Sequence, residues 1–289
     1  MLHFQMEIVE ASSTIKKAAK RAPMNMKKLL FIDTNIWLDF YRARNDASLA
    51  LLEHVDSIAD KVIVTFQLEL EFKKNRQTVI LETLNELKTI GHIGRPGIFS
   101  DAKAAKALQS SLQAADRRVK VLKARLGKAL DNPAIHDPVY KVSQRVFHKT
   151  DSLVLTREMP IRRIIRRRAY TRYLHGCPPR KKNDTSLGDG FNWEWMLECA
   201  KNENAELVIV SRDSDFGITF ENKSYVNDHL KHEFSDRVSK KRKIFLYARL
   251  SDALKHFRVP VSQQEVEAES QILSVKIDQP NVVSGNSFD

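Results

Sequence analysis

Four short runs along the chain carry apolar residues at successive rather than alternate positions: residues 29–32, 62–65 (ending in Thr65), 207–210 and 244–247. Strands buried on both faces read this way, because helices cover a parallel sheet from both sides. Helical periodicity fills the gaps. It predicts helix over residues 36–58, over 68–87 and over 191–202. The alternation of strand and helix therefore predicts an α/β fold, with a parallel central sheet of about four to five strands flanked by helices.

The alternation is interrupted in the middle. Gly91, Gly94, Pro96 and Gly97 break the chain. Residues 101–130 follow, with Ala104, Leu108, Leu112, Ala115, Val119, Leu122 and Leu126 at helical spacing, which predicts one long amphipathic helix. A second helical segment is predicted over 139–172, broken near Pro160. Pro178-Pro179 closes this stretch. The pattern divides the chain into an N-terminal extension (1–26) and a first half-domain (27–90). A helical insertion (91–179), a second half-domain (180–258) and a polar tail (259–289) follow. The weakly patterned tail is expected to be largely disordered. Met24 and Met26 precede the first strand, so the compact domain is expected to begin near Met26, and an internal start is compatible with the pattern.

Charge changes the picture. The net charge is +12, and nine Lys or Arg with no Asp or Glu lie between Pro160 and Asn183. Arg162, Arg163, Arg166, Arg167, Arg168, Arg172, Arg180, Lys181 and Lys182 form this run, with Tyr170 and Tyr173 among them. A localised basic patch with interleaved aromatics is the footprint of a nucleic-acid binder. A solvated helix face is the plainer alternative. The two cysteines, Cys177 and Cys199, have neither disulfide-framework nor zinc spacing, which suits a reducing, cytoplasmic setting. No apolar stretch reaches the ~20 residues that a membrane span needs. A regulatory protein partner and a homo-oligomer are both compatible with the sequence.

Carboxylates mark the ends of the predicted strands. Asp33 ends the first, and Asp213 and Asp215 follow the third. Sites in open α/β sheets form beyond the carboxyl ends of the strands. Glu69 and Glu71 open the helix after the second strand. Two positions on a helix differ by about 200°, so only one can face a shared site, and Glu71 is favoured. Asp189 lies four residues before Trp193 and so begins the apolar stripe Trp193, Met196, Leu197 and Ala200. A helix cap is the structural alternative for Asp33, Asp189 and Asp215, and Asn35 could cap in place of Asp33. Taken together, Asp33, Glu71, Asp189 and Asp213 form an oxygen-only set, which suits Mg²⁺ or Mn²⁺ rather than zinc. Asp184 stands nearby in sequence.

At these residues the sequence resembles the PIN-domain nucleases. The resemblance rests on Phe31-Ile32-Asp33-Thr34-Asn35 and on Glu71-Phe72-Lys73-Lys74-Asn75-Arg76. It rests equally on Gly188-Asp189 before a Trp-containing helix and on Ser211-Arg212-Asp213-Ser214-Asp215-Phe216. It covers roughly 27–90 and 180–250, and points to a subgroup with an enlarged helical middle. It implies a metal-dependent phosphodiesterase, usually an endoribonuclease, leaving 5′-phosphate and 3′-hydroxyl ends. It also implies that Asp33, Glu71, Asp189 and Asp213 are the catalytic acids, supported by Asn35, Asp184, Ser211 and Asp215. A bacterial toxin or defence nuclease, or an RNA-processing enzyme, fits that description. Competing expectations are a structure-specific DNA nuclease, a non-catalytic nucleic-acid-binding adaptor and, with least support, a phosphate-receiver domain.

Overall fold

A computed structural model of the chain describes residues 26–43, 47–87, 102–180 and 186–277. Five parallel strands form the central sheet. β1 (Lys28–Ile32) leads through α1 (Thr34–Arg42) and α2 (Ala47–Ser57) to β2 (Val62–Thr65). The predicted helix over 36–58 is thus two helices. α3 (Phe66–Glu86) follows β2, and α4 (Lys103–Asp131), α5 (Pro133–His136) and α6 (Pro138–Phe147) fill the middle of the chain. Then come β3 (Val154–Leu155), α7 (Arg162–Leu174), α8 (Gly188–Asn202) and β4 (Glu206–Val210). The chain continues through a hairpin of β5 (Gly217–Phe220) and β6 (Lys223–Val226), then α9 (Asp228–Arg237) and β7 (Ile244–Tyr247). It closes with α10 (Leu250–His256) and α11 (Gln263–Ile277).

Strand order across the sheet is β3-β2-β1-β4-β7. The four predicted strands are all present, and every residue of β2 and β4 is buried, as an apolar run covered on both faces requires. From β1 the chain first builds outward through β2 and β3, then returns to place β4 on the other side of β1. The direction of winding therefore switches between β1 and β4. The crevice at such a switch point is where open α/β sheets bind ligands.

Two expectations are corrected. The segment over 139–172 is not one helix broken near Pro160. It is α6 and α7 separated by β3, which pairs Val64 with Val154 and Thr65 with Leu155. A two-residue strand carries no periodicity to read, and its anchor is tertiary: Trp195 Nε1 donates to the Leu153 carbonyl at 3.1 Å. The tail over 263–277 is helical. Ser262 and Glu265 form a reciprocal cap, with Ser262 N donating to Glu265 Oε2 at 2.6 Å and Glu265 N to Ser262 Oγ at 3.3 Å. Glu269 then accepts from the backbone N–H groups of Leu250 and Ser251, satisfying the free amides that open α10. Ala268 and Ile272 are buried with it.

The middle segment is bolted to the sheet domain by one buried ion pair. Arg76 on α3 donates to Asp137 at 2.6 Å, to the Tyr41 hydroxyl at 3.0 Å and to the Ala129 carbonyl at 2.6 Å. Asp137 also caps α6 through Tyr140 N. Breaking a buried pair of this kind typically costs about 3–5 kcal/mol, since it strands the remaining charge. Beneath it, Trp37, Phe72 and Phe147 pack edge to face, at centroid distances of 5.1 and 5.6 Å. Along most of α4 the apolar stripe stays accessible. Ala129 is its one buried residue, and Leu108 and Leu122 are exposed.

Candidate active site

Asp33 is carried to the rim by β1 and is 4 % exposed. Its backbone N–H continues the ladder to the Val210 carbonyl at 2.9 Å, so the ends of β1 and β4 are laced together. Its side chain caps α1, as the structural alternative foresaw, through Thr34 N at 2.7 Å. The cap uses only Oδ1. The other oxygen, Oδ2, accepts from Ser211 Oγ at 2.7 Å, and Ser211 Oγ in turn accepts from Asp213 N at 3.0 Å. One hydroxyl therefore positions both strand-end aspartates.

Glu71 reaches the same rim from the first turns of α3. Thr34 Oγ1 donates to its Oε2 at 3.1 Å, and Gln67 Nε2 to its Oε1 at 2.8 Å. Glu69 turns away to Lys73 and His148, as the helical angle between the two glutamates demands. The start of α8 presses directly on Glu71. A Cβ added at Gly188 would stand 2.5 Å from Glu71 Oε1, so this position accepts no side chain without displacing the carboxylate. Asp189 is the next residue, half-buried in the first helical turn. The tilt of α8 is fixed from below by Thr65, whose hydroxyl donates to Asn192 Oδ1 at 2.5 Å and also caps α3. The predicted stripe Trp193, Met196, Leu197 and Ala200 is fully inside.

Sequence reasoning missed Thr34, Gln67 and Gly188. Two of the signals were short-range: Gln67 precedes Glu71 by one helical turn, and Thr34 follows the strand-end aspartate. Of the expected supporting residues, Ser211 and Asp215 are buried and Asn35 is exposed at the start of α1. Asp184, Lys181 and Lys182 lie outside the described residues.

The electrostatics follow from burial. The Asp33 carboxyl is pushed up to about 6, first by desolvation and then by the charges of Asp213 and Glu71. The Ser211 hydroxyl and Thr34 N–H oppose the shift. Among the described residues no three carboxylate, imidazole or thiol groups converge into a finished ion cage. The donor chemistry nonetheless suits a hard divalent cation: the side chains are oxygen donors, they repel one another, and a cation would offset the charge that burial disfavours.

A family model described as the PIN domain matches residues 30–216. The chain belongs to the PIN domain family. The matched span contains Asp33, Glu71, Asp189 and Asp213. No curated protein and no solved structure matches the chain. Membership implies a nuclease of the PIN superfamily, a hydrolase that binds nucleic acid, and PIN nucleases generally use divalent metals. No described helix is long and apolar enough to cross a membrane.

The basic run of this PIN domain divides along α7. Ile165, Ala169 and Arg172 share the buried face, at i, i+4 and i+7. Arg172 is 7 % exposed and is corrected from a nucleic-acid contact to a structural residue. It donates to Glu194 Oε1 at 2.9 Å, and also to Glu233 and the Pro178 carbonyl. Arg237 completes the cluster against Glu194 and Glu233, and Trp193 Nε1 donates to Glu233 at 2.9 Å. Its neighbours hold the Glu233 carboxyl below its ordinary value against the pull of burial, Arg172 first. Arg163, Arg166 and Arg167 are exposed, as is Tyr170. Arg168 is exposed but paired with Glu198 at 2.9 Å. Arg162 stands over the Phe66 ring at 5.9 Å, at the foot of α3 beside the rim. Arg180 stacks on Tyr173 at 4.4 Å.

Proposed function

We propose that this protein is a metal-dependent endoribonuclease that hydrolyses RNA phosphodiester bonds at the rim formed by Asp33, Glu71, Asp189 and Asp213. The observation that carries the reading is Asp33, a buried carboxylate at the switch point of the sheet, whose ionised form is disfavoured by burial first and then by the charges of Asp213 and Glu71. The α1 cap and the Ser211 hydrogen bond offset part of the cost of burying that charge, and a bound cation would offset more.

The four carboxylates would hold Mg²⁺ or Mn²⁺. When bound, the ion supplies a water of lowered pKa for attack and offsets charge on the leaving oxygen. The chain's own residues do the placing. Ser211 fixes Asp33 relative to the Asp213 backbone, and Thr34 and Gln67 hold both oxygens of Glu71. Carboxylates repel a phosphate backbone, so cations outside the rim must grip it. Arg163, Arg166 and Arg167 are exposed on the open face of α7, and Arg162 lies over Phe66 at the start of α3. Tyr170 offers an exposed ring for stacking. Service as a bacterial toxin or defence nuclease is the setting that the family resemblance suggests.

The test pairs labelled single-stranded RNA, single-stranded DNA and duplexes with Mg²⁺, Mn²⁺ or EDTA, for the native chain and Asp189→Asn. The expected result is metal-dependent RNA cleavage that Asp189→Asn abolishes. Cleavage that survives EDTA and the substitution overturns the mechanism. Preference for branched DNA would replace RNA by a DNA substrate.

A further inference from the structure

The β5–β6 hairpin begins at Gly217, one residue past the span that matches the PIN domain, and nothing in the reading above gives it a task. It is a two-residue-turn hairpin, with Glu221 and Asn222 both at positive φ (47° and 63°). Its register pairs Ile218 with Tyr225 and Phe220 with Lys223, so these side chains share one face. That face is open to solvent: Ile218 is 66 %, Phe220 62 % and Tyr225 44 % exposed. Single exposed apolar residues need no explanation, but three on one face of so short a hairpin do.

The hairpin is joined to the acidic rim. A depression of about 400 Å³ is lined by Asp213 together with Ile218 and Thr219. Behind the hairpin, against β7 and α10, runs a larger cleft of about 1110 Å³. Lys223, Lys231 and Lys255 border it. Lys223 also sits 5.3 Å from the centroid of the Tyr225 ring. The exposed apolar face amounts to on the order of 300 Å², well short of the ~800 Å² per partner that a stable protein interface buries. Aromatic rings interleaved with lysines, opening from a site that cuts nucleic acid, fit a single strand instead.

We infer that the β5–β6 hairpin is the grip for the single-stranded part of the substrate: bases stack on Phe220 and Tyr225, and Lys231 and Lys255 hold phosphates along the cleft behind. The inference rests on the nuclease reading and names which surface threads the strand. It assigns the hairpin a role distinct from that of the exposed α7 arginines, which remain the broader electrostatic surface.

Fluorescence anisotropy of a labelled 12-nucleotide single-stranded RNA, in EDTA to stop cleavage, tests this on the full chain. Phe220→Ala/Tyr225→Ala should weaken binding by about 5- to 150-fold for each stacked base lost, with an unchanged thermal midpoint. Phe220→Trp/Tyr225→Trp should keep it. Lys231→Gln/Lys255→Gln should lower the slope of log affinity against log salt by about 1.4, some 0.7 for each phosphate contact. The inference fails if the alanine pair binds like the native chain while Arg163→Gln/Arg166→Gln does not, an outcome that leaves the nuclease reading intact. A native chain that binds and cleaves no nucleic acid removes the nuclease reading, and the inference with it. Loss of a dimer in the alanine pair, with RNA binding unchanged, would make the hairpin a contact between copies and overturn the inference.

Discussion

α8 carries a carboxylate at two places, and their surroundings differ. At its first turn, Gly188 packs against Glu71, whose two oxygens accept from the neutral donors Thr34 and Gln67, and half-buried Asp189 follows. One turn further on, Glu194 is enclosed by Arg172 and Arg237, and each charge has an opposite partner. The second cluster is complete and serves the fold, pinning α7 and α9 to α8. At the rim, burial and then the charges of Asp213 and Glu71 disfavour the ionised form of Asp33, and the proposed cation would offset them. Burial does not distinguish the two settings, because Asp33 and Glu194 are both buried; the sign of the neighbouring charges does.

The largest effects should fall on different measurements for the two clusters. Asp33→Asn removes a proposed ligand and should lower the cleavage rate on the order of 10³-fold, equivalent to several kcal/mol of barrier. It should leave the fold intact. Arg172→Met should do the reverse. Leaving the carboxylates of Glu194 and Glu233 to share Arg237 should cost about 3 kcal/mol and lower the thermal midpoint by roughly 10 °C. Single-turnover kinetics and thermal unfolding on both variants decide the matter. The comparison breaks if Arg172→Met keeps its stability or if Asp33→Asn unfolds.

The pH dependence of stability sharpens it. The folded-state pKa of Asp33 lies above its ordinary value of 3.8, at about 6. Ionising it is therefore opposed by the fold. The resulting penalty is absent below about pH 4 and is fully developed once the pH has risen through 6. The difference corresponds to about 3 kcal/mol. Asp33→Asn should thus be more stable than the native chain at pH 8 in EDTA, and the gain should vanish towards pH 4, as read by urea unfolding. Mn²⁺ should raise the midpoint of the native chain and leave that of Asp33→Asn nearly unmoved. A variant less stable than the native chain at pH 8 would show that the hydrogen bonds of Asp33 outweigh its desolvation.

The sheet, and the placement of Asp33 and Asp213 after its strands, were legible because their signals are local: largely apolar runs, each followed closely by a carboxylate. β3 was not, since two residues carry no pattern and their partner lies on β2, far away in sequence. Arg172 looked like its neighbours in composition. Its spacing from Ile165 and Ala169 put it on the inner face, a signal present in the sequence but outweighed by the charge run. The hairpin and α11 were also readable. Ile218-Thr219-Phe220 and Ser224-Tyr225-Val226 alternate around a two-residue turn, and Ser262 stands three residues before Glu265, the signature of a capping box. The role of Gly188 was beyond reach, because what excludes a side chain there is Glu71 on another helix.

Gly188 gives the smallest and most discriminating test. In an exposed helix, replacing Gly by Ala stabilises by about 1 kcal/mol, through reduced backbone entropy. At Gly188 the new Cβ would arrive 2.5 Å from Glu71 Oε1. The obstacle is the far end of a flexible side chain, so Glu71 can swing aside and the fold should pay little. Displacing a proposed metal ligand by about 1 Å should still cost roughly 10- to 100-fold in cleavage. The expected outcome for Gly188→Ala is a thermal midpoint equal to or above that of the native chain, with a reduced rate that higher Mn²⁺ partly restores. If the rate is unchanged, Glu71 is not held to its work by the start of α8. The proposed ligand set would then lose Glu71, which would be a neighbour of the rim and not a member of it.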